Sequence, residues 1–198
     1  MSTAAILAGG QARRFGGRPK ALLPLGHQRI IDRLLAVLRS LVDEVFIVAN
    51  DRDRYRACGV PVRADILSNA GPLGGVHTAL SNAHSAQVLV VAGDMPFVSA
   101  PFLGYVLQTG RSVDVAIPRT EEGYQPLCAS YRRSCTDVIA RRIGVRTLKV
   151  SDVLSETNRH EVGAKEIAPF DPHGTLFFNI NTPADYARAL TLAAYYAP

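Results

Sequence analysis

Short apolar runs alternate along the chain with segments of helical period, and this alternation constrains the fold more than any other feature. The early runs at 4–7, 44–48 and 87–91 are almost wholly apolar, as strands buried on both faces are. Residues 30–41 (IIDRLLAVLRSL) place apolar side chains at helical spacing between the first two runs. Strands alternating with helices predict an α/β fold with a single doubly wound, mostly parallel sheet.

Shorter patterns predict the remaining elements. Ser99 can cap a helix through 102–107, with Pro101 in its first turn. Thr182-Pro183-Ala184-Asp185 is a capping-box-like start to a last helix that reaches Tyr195. Further helices are predicted at 75–84 and 138–142, and further strands at 61–63, 113–117 and 127–131. Sheets of this kind bind ligands beyond the carboxyl ends of their strands.

Composition limits the class of protein. The 198 residues are 47% hydrophobic and 20% charged, so we expect one domain, 1–198, with a sizeable core. The three cysteines have no metal-ligand spacing, which argues against a disulfide framework or a structural zinc. No secretion signal and no membrane-spanning run is recognisable. We therefore expect a cytoplasmic protein without a membrane partner.

The formal net charge is +5, and the basic residues come as short pairs rather than as one tract. Nucleic-acid binders concentrate such charge on one face and interleave aromatic residues, whereas this chain has 7% aromatic residues and no tryptophan. Nucleic acid is therefore a weaker alternative. A mild basic excess suits a small anionic ligand.

A glycine-rich segment, LAGGQARRFGGRPK, runs from Leu7 to Lys20 directly after the first predicted strand. Glycines let the backbone turn tightly and direct N–H groups at phosphate oxygens. Arg14 and Lys20 can then neutralise a triphosphate and the charge that develops on transfer. The segment lacks the GxxxxGK[ST] spacing of a Walker A loop, and a plain strand-to-helix loop with solvated basic residues is the alternative.

A second candidate site is Gly93-Asp94-Met95-Pro96, which follows the strand at 87–91. A carboxylate at the end of a central parallel strand faces the ligand crevice. Mg²⁺ is held by few carboxylates together with phosphate oxygens and water, so one aspartate can suffice. The alternative is that Asp94 caps a helix or a turn, although Ser99 is better placed to do so.

A third candidate site joins Asp65 to Gly71-Pro72-Leu73-Gly74-Gly75. The glycines would let a helix N-terminus approach a flat base closely. Asp65 can accept hydrogen bonds from the N–H groups on the Watson–Crick edge of guanine. A turn-forming role for Asp65 is the alternative.

A fourth candidate site is Phe177-Phe178-Asn179-Ile180-Asn181-Thr182-Pro183. Two asparagines that flank Ile180 in an extended segment project to one side. Their amides offer neutral donors and acceptors suited to an amine-rich heterocycle. The alternative is a pair of turn asparagines that lead into a helix cap.

In order and spacing, these four segments resemble the molybdenum cofactor guanylyltransferases, within the wider nucleotidyltransferase group that activates sugars and polyols. The resemblance runs from Leu7 to the final helix. The family's LAGGxxxRMGxxK, GPLxG, D-x-P and FxNxNTPxD patterns are matched here by segments that begin at Leu7, Gly71, Asp94 and Phe177. Phe15 replaces the usual methionine, and Pro19 stands where an aspartate is common. The Pro-Lys pairing also occurs in sugar and isoprenoid-precursor nucleotidyltransferases.

The resemblance implies a Rossmann-like nucleotidyltransferase fold and a set of roles. Arg14, Lys20 and Asp94 are the implied catalytic residues, and Asp94 the implied Mg²⁺ ligand. The implied acceptor contacts are Arg146, in a family G-x-R segment, with Asn179 and Asn181. Asn50 carries over less directly, because Val48 stands where some members have a nucleotide-contacting asparagine. The implied GTP-binding residues are Leu7, Ala8, Gly9, Gly10, Lys20, Asn50, Asp65, Gly71 and Asp94.

The reaction that the resemblance implies is GMP transfer from GTP to the terminal phosphate of molybdopterin-type molybdenum cofactor, with release of pyrophosphate. Alternatives inside the class are a cytidylyltransferase for the same cofactor and a sugar-phosphate nucleotidyltransferase. The GPLxG loop, which the cytidylyl relatives lack, favours guanine. The alternative outside the class is a catalytically inert nucleotide-binding module for molybdoenzyme assembly. Molybdoenzyme assembly proteins are candidate further partners in either case.

Overall fold

A computed structural model describes residues 2–9 and 15–195. Eight strands form one sheet, and two more form a small separate hairpin. The strands are β1 (Thr3–Leu7), β2 (Pro24–Leu25), β3 (Gln28–Arg29), β4 (Glu44–Val48), β5 (Val62–Arg63), β6 (Gln87–Ala92), β7 (Val115–Thr120), β8 (Gly123–Tyr124), β9 (Cys128–Arg132) and β10 (Arg159–Val162).

The sheet has the order β10-β7-β9-β6-β1-β4-β5, and β8 extends β7 as an antiparallel hairpin. Strand β1 pairs in parallel with β4 on one side and with β6 on the other. Strand β9 alone on this path runs antiparallel to both of its neighbours. The predicted mostly parallel α/β sheet is thus confirmed, with one reversed strand that the alternation of elements did not indicate.

Helices cover both faces of the sheet. They are α1 (Ile30–Arg39), α2 (Gly71–Asn82), α3 (Ala100–Thr109), α4 (Cys135–Gly144), α5 (Val150–Leu154), α6 (Ala164–Ile167) and α7 (Pro183–Tyr195). Alternate residues of β1 divide between the two sides: Ala4 and Ile6 pack in a core with α1, α3 and α7, and Ala5 packs in a second core with α2, α4 and α5. Within the described residues, no helix has both the length and the apolar character needed to cross a membrane.

Two predicted helix starts are confirmed by their hydrogen bonds. The Ser99 hydroxyl accepts from the Phe102 N–H at 3.4 Å at the start of α3. The Asp185 N–H donates to the Thr182 hydroxyl at 3.1 Å, while the Asp185 carboxylate accepts from the Thr182 N–H at 2.8 Å. Helix α7 therefore begins with a reciprocal capping box.

Helix α2 begins at Gly71, four residues before the predicted start at 75. Pro72 lies in its first turn, where the missing N–H costs no intrahelical bond. Strand β10 was not predicted, because its sequence, Arg-His-Glu-Val, is charged rather than apolar. It lies at the edge of the sheet, where such residues are tolerated.

Candidate nucleotide site

Three neighbouring parallel strands end at the same level. Leu7, the last residue of β1, pairs with Val48 at the end of β4 and with Ala92 at the end of β6. The residues that follow each strand, Ala8 and Gly9, Asn50, and Gly93 and Asp94, are therefore brought to one edge of the sheet. The chain leaves β1 for β4 on one side and returns to β6 on the other, so this edge is a topological switch point.

A cavity of about 660 Å³ lies at this edge, a volume within the usual range for small-molecule sites. It is lined by eight of the residues that the sequence predicted to bind nucleotide. Gly10 and Arg14 lie outside the described residues, so the structure says nothing of their roles. The eight lining residues are Leu7, Ala8, Gly9, Lys20, Asn50, Asp65, Gly71 and Asp94.

Backbone hydrogen bonds fix the turn after β1. The Ala8 N–H donates to the Val48 carbonyl at 3.0 Å, and the Gly93 N–H donates to the Leu7 carbonyl at 2.9 Å. A Cβ at Gly93 would lie 3.2 Å from the Leu7 carbonyl oxygen and 3.1 Å from the Ala21 Cβ. A larger residue at 93 would therefore push apart the two loops that form the floor of the cavity.

Tyr55, on a short 3-10 helix after β4, holds the same turn from the other side. Its hydroxyl donates to the Ala8 carbonyl at 3.0 Å, and the residue is only 2% exposed. Burial raises the pKa of Tyr55 to about 12, so the hydroxyl remains a donor at neutral pH. Sequence reasoning did not single out Tyr55, because nothing in the sequence near it indicates a contact with a residue 47 positions away.

We expect Tyr55→Phe to cost about 1–2 kcal/mol of unfolding free energy and to weaken GTP binding roughly threefold, because the Ala8 carbonyl loses its donor and the turn loosens. Urea denaturation and calorimetric GTP titration measure the two effects. Tyr131→Phe is the matched control, since the buried Tyr131 hydroxyl also donates to a backbone carbonyl, that of Pro126, at 2.8 Å. Equal weakening of GTP binding by both variants would contradict a specific role for Tyr55.

Asn50 and Asp65 form a reciprocal pair on the wall of the cavity. The Asn50 amide N–H donates to Asp65 Oδ2 at 3.0 Å, and the Asp65 backbone N–H donates to Asn50 Oδ1 at 2.9 Å. The next residue, Ile66, donates its N–H to the Thr78 hydroxyl on α2 at 2.9 Å. The carboxylate is thus held in one orientation by a neutral amide, and both of its oxygens keep lone pairs for further donors.

Lys20 and Asp94 meet beyond the end of β6, on the other side of β1 from Asn50 and Asp65; we call these two sides the walls of the cavity. The Lys20 Nζ lies 2.5 Å from Asp94 Oδ2 and 2.9 Å from Asn181 Oδ1. The Lys20 and Asp94 side chains are 25% and 20% exposed, so the pair faces the cavity without being sealed from water. The structure therefore groups a cation, a carboxylate and an amide at one point, although Lys20 and Asn181 are 161 positions apart.

The donor set at this point fits a divalent cation. In the described part of the chain, no group of three or more His, Cys, Asp or Glu residues is arranged to hold a metal without other ligands. Mg²⁺ does not need such a group, because it keeps several waters and takes substrate phosphates beside one or two carboxylates. Asp94 can supply that carboxylate once Lys20 turns toward a phosphate.

Each glycine of the Gly71-Pro72-Leu73-Gly74-Gly75 segment meets its own structural requirement. Gly71 lines the cavity and has a φ of 55°, a left-handed conformation that favours glycine. A Cβ at Gly75 would lie 2.8 Å from Leu7 Cδ1, and one at Gly74 would lie 3.1 Å from the Leu67 carbonyl oxygen. Gly74 and Gly75 do not line the cavity, and the absence of a Cβ at each lets α2 pack closely against β1 and the preceding loop.

None of the three residues predicted to bind the acceptor, Arg146, Asn179 and Asn181, lines the cavity. Asn179 donates its amide N–H to the Phe177 carbonyl at 2.8 Å, whereas the Asn181 amide contacts Lys20. The two asparagines therefore have different partners in the structure. Arg146 is exposed after α4, with a φ of 57°.

A second basic residue in the cavity was missed. Arg54, on the same 3-10 helix as Tyr55, pairs with Asp51 at 2.7 Å and donates to the Gly17 carbonyl of the glycine-rich segment. The run Asp51-Arg52-Asp53-Arg54 reads as an ordinary solvated loop, so its charges gave no specific signal.

The family model for the MobA-like NTP transferase domain matches residues 4–161, which span every strand at this edge and the whole cavity wall. The chain belongs to this family. It is therefore a nucleotidyltransferase, and the predicted resemblance to the molybdenum cofactor guanylyltransferases is confirmed.

Relatives of the family match nearly the whole chain. A "Probable molybdenum cofactor guanylyltransferase" of Pelotomaculum thermopropionicum is 35% identical over 192 residues, covering 97% of this chain and 93% of that protein. The "Molybdenum cofactor guanylyltransferase" of Desulfosudis oleivorans is 32% identical over 188 residues, covering 94% of this chain and 93% of that protein. Among solved structures, the molybdopterin-guanine dinucleotide biosynthesis protein A of Archaeoglobus fulgidus superposes with a TM-score of 0.83 at 28% identity, over 98% of this chain and 99% of that one.

Proposed function

We propose that this protein transfers GMP from GTP to the terminal phosphate of a molybdopterin-type molybdenum cofactor, giving the guanine dinucleotide cofactor and pyrophosphate. One observation carries the proposal: a single cavity joins Lys20 and Asp94 on one wall with Asn50 and Asp65 on the other. The first pair suits a triphosphate and the second suits a base edge. The names of the relatives support the identity of both substrates.

In the proposed reaction, an oxygen of the acceptor phosphate forms a bond to the α-phosphorus of GTP, and the bond from that phosphorus to pyrophosphate breaks. No protein nucleophile is required, because the phosphate oxygen is already ionised at neutral pH. Catalysis then rests on positioning and charge neutralisation. Lys20 supplies positive charge to the phosphates, and we assign the turn formed by Leu7, Ala8 and Gly9, which lines the cavity, to the triphosphate as well. Arg14 is a further cation that we assign to the same task.

We assign Mg²⁺ to Asp94. When bound, the ion would neutralise phosphate charge and orient the leaving pyrophosphate. In the structure, Lys20 and Asp94 form an ion pair. When a Mg²⁺-triphosphate enters, the ammonium would turn to the phosphates and the carboxylate to Mg²⁺, so both charges would keep a partner.

We assign Asp65 to the guanine edge. Guanine presents an N1–H and an exocyclic amino group on one side, and a carboxylate can accept from both at once. Asn50 keeps the carboxylate in place through Oδ2. Cytosine and adenine lack this adjacent pair of donors.

The acceptor contacts stay proposals: Arg146, Asn179 and Asn181 are assigned to molybdopterin, with Asn181 also reaching the phosphate side through Lys20. We place the reaction in the cytoplasm and assign the whole of 1–198 to one domain. Incubating the protein with each nucleoside triphosphate, Mg²⁺ and molybdopterin, and identifying the product by mass, tests the proposal. Formation of the cytosine dinucleotide, or turnover of a sugar phosphate instead, would contradict it.

GTP should bind more tightly than CTP or ATP, by about five- to a hundredfold, because a wrong base leaves a hydrogen-bonding group of the pocket unpaired. Asp65→Asn should reduce this preference toward unity, since an amide accepts at only one oxygen. Competitive titrations with the three nucleotides measure the ratio. Asp53→Asn removes an exposed carboxylate nearby that does not line the cavity, and should leave the ratio unchanged. Equal affinity of the wild type for CTP and GTP would overturn the guanine assignment.

A further inference from the structure

The C-terminal segment before α7 reaches into the nucleotide site at a defined point. The Ile180 N–H donates to the Asp94 carbonyl at 3.0 Å, and Asn181 Oδ1 accepts from the Lys20 ammonium at 2.9 Å. Farther along α7, the Tyr186 hydroxyl donates to the Pro24 carbonyl at 2.6 Å, four residues after Lys20. The segment is therefore tied both to the strand end that carries Asp94 and to the loop that carries Lys20.

Asp185 fixes the orientation of the backbone at Asn181. Its Oδ2 accepts from the backbone N–H of Asn181 at 2.9 Å and from that of Thr182 at 2.8 Å. The bond from the Asn181 N–H, then the side chain and the N–H of Thr182, lower the pKa of Asp185, with a smaller contribution from the charge of Lys20. A carboxylate that accepts hydrogen bonds from two successive N–H groups fixes the orientation of the backbone from which the Asn181 side chain projects.

We propose that Asp185 is a positioning residue for the proposed reaction: through Asn181, it holds the Lys20 ammonium where the triphosphate will meet it. Lys20 has a long flexible side chain, and holding it in advance removes an ordering cost from nucleotide binding and from transfer. The inference rests on the proposed function for the identity of the nucleotide, but the placement of Lys20 can be measured without any nucleotide.

A purely structural role for Asp185 predicts a different pattern. As part of the capping box, Asp185 also stabilises the start of α7, so its loss lowers stability in either case. Thr182→Ala separates the two roles, because it removes the hydroxyl that accepts from the Asp185 N–H and leaves the Asp185 carboxylate and the Asn181 N–H intact. It is the matched control for a weakened cap.

Lys20 can be observed directly, because the chain has only three lysines, Lys20, Lys149 and Lys165. Limited acetylation of the intact protein over a range of pH, read by peptide mass spectrometry, gives the reactivity of each amine. The exposed Lys149 and Lys165 serve as internal references. We expect the Lys20 rate to rise about two- to fivefold in Asp185→Ala and in Asn181→Ala, since one of its two partners is lost or displaced. Thr182→Ala should leave the rate unchanged.

Calorimetric titration then links the placement to binding. Asp185→Ala and Asn181→Ala should each weaken GTP binding about five- to tenfold and guanosine binding less than twofold. Combining either change with Lys20→Ala should weaken GTP binding little more than Lys20→Ala alone. If Asp185→Ala does not fold, Asn181→Ala gives the same readouts. Faster acetylation of Lys20 without weaker GTP binding would support the positioning role and count against the phosphate contact. Thr182→Ala that matches Asp185→Ala, or a Lys20 rate unchanged in both Asp185→Ala and Asn181→Ala, would overturn the proposal.

Discussion

Asp94→Asn should reduce turnover by about 10²-fold or more while the protein remains folded. The substitution keeps the shape of the side chain and removes the negative charge that we assign to Mg²⁺, and metal stabilisation of phosphoryl charge contributes several kcal/mol. The fold should tolerate the change, because the Asp94 group that binds the C-terminal segment is its backbone carbonyl, which accepts from the Ile180 N–H at 3.0 Å. Product formation by mass and thermal unfolding are the two measurements.

The control is the same substitution at Asp137, on α4 and outside the nucleotide cavity. Asp137→Asn changes the net charge equally and should leave turnover within about twofold, as expected for separated sites. Raising the Mg²⁺ concentration should recover part of the activity of Asp94→Asn, since an amide oxygen is a weaker ligand than a carboxylate. An unfolded variant, or one with full activity, would make Asp94 a structural residue and remove the proposed metal site.

The parts of the site that lie on the sheet could be predicted from sequence, because parallel strands bring their carboxyl ends to one edge. Apolar runs located β1, β4 and β6, and the residues just after them were then expected to meet. Leu7, Val48 and Ala92 are in register, so this expectation needed no long-range information. Asp94 and Gly9 line the same cavity for the same reason.

Contacts that depend on how loops return to the sheet could not be predicted in this way. The resemblance implied an acceptor role for Asn181 and gave no indication of its contact with Lys20. That contact arises because the Ile180 N–H ties this segment to the Asp94 carbonyl. Tyr55 reaches the Ala8 carbonyl from a 3-10 helix whose sequence has no apolar period. Such contacts are set by tertiary packing, which local periodicity does not report.

The reversed strand β9 shows a related limit. Three of its five residues, Cys128, Ala129 and Tyr131, are apolar, and it follows β7 and β8 without an intervening helix. The direction is set by the β7–β8 hairpin and the short turn into β9, whose Cys128 N–H donates to the Gln125 carbonyl at 3.1 Å. The nine residues between the predicted strands at 113–117 and 127–131 are too few for a parallel crossover, and this short connection is the sequence signal that could have revealed the reversal.

Lys20→Ala should slow transfer by about 10²-fold and weaken GTP binding by roughly tenfold or more. A hydrogen bond from a charged group contributes about 1.5–3 kcal/mol, and Lys20 gives such bonds both in the resting site and, as we propose, to the phosphates. The preference for GTP over CTP should survive, because we assign the base to Asp65 and its partner Asn50 rather than to Lys20. Single-turnover rates and competitive titrations give the two quantities separately.

Lys20→Arg is the informative companion to this variant. It keeps the positive charge but replaces a compact ammonium with a planar fork, which cannot lie 2.5 Å from Asp94 Oδ2 and 2.9 Å from Asn181 Oδ1 through one nitrogen without rearrangement. We expect GTP affinity to recover more than the transfer rate, because binding needs the charge and transfer needs its position. If Lys20→Ala instead abolished the preference for binding GTP over CTP, Lys20 would contact the base. The base would then be assigned to the side of Lys20 and Asp94, and the phosphates to the side of Asn50 and Asp65.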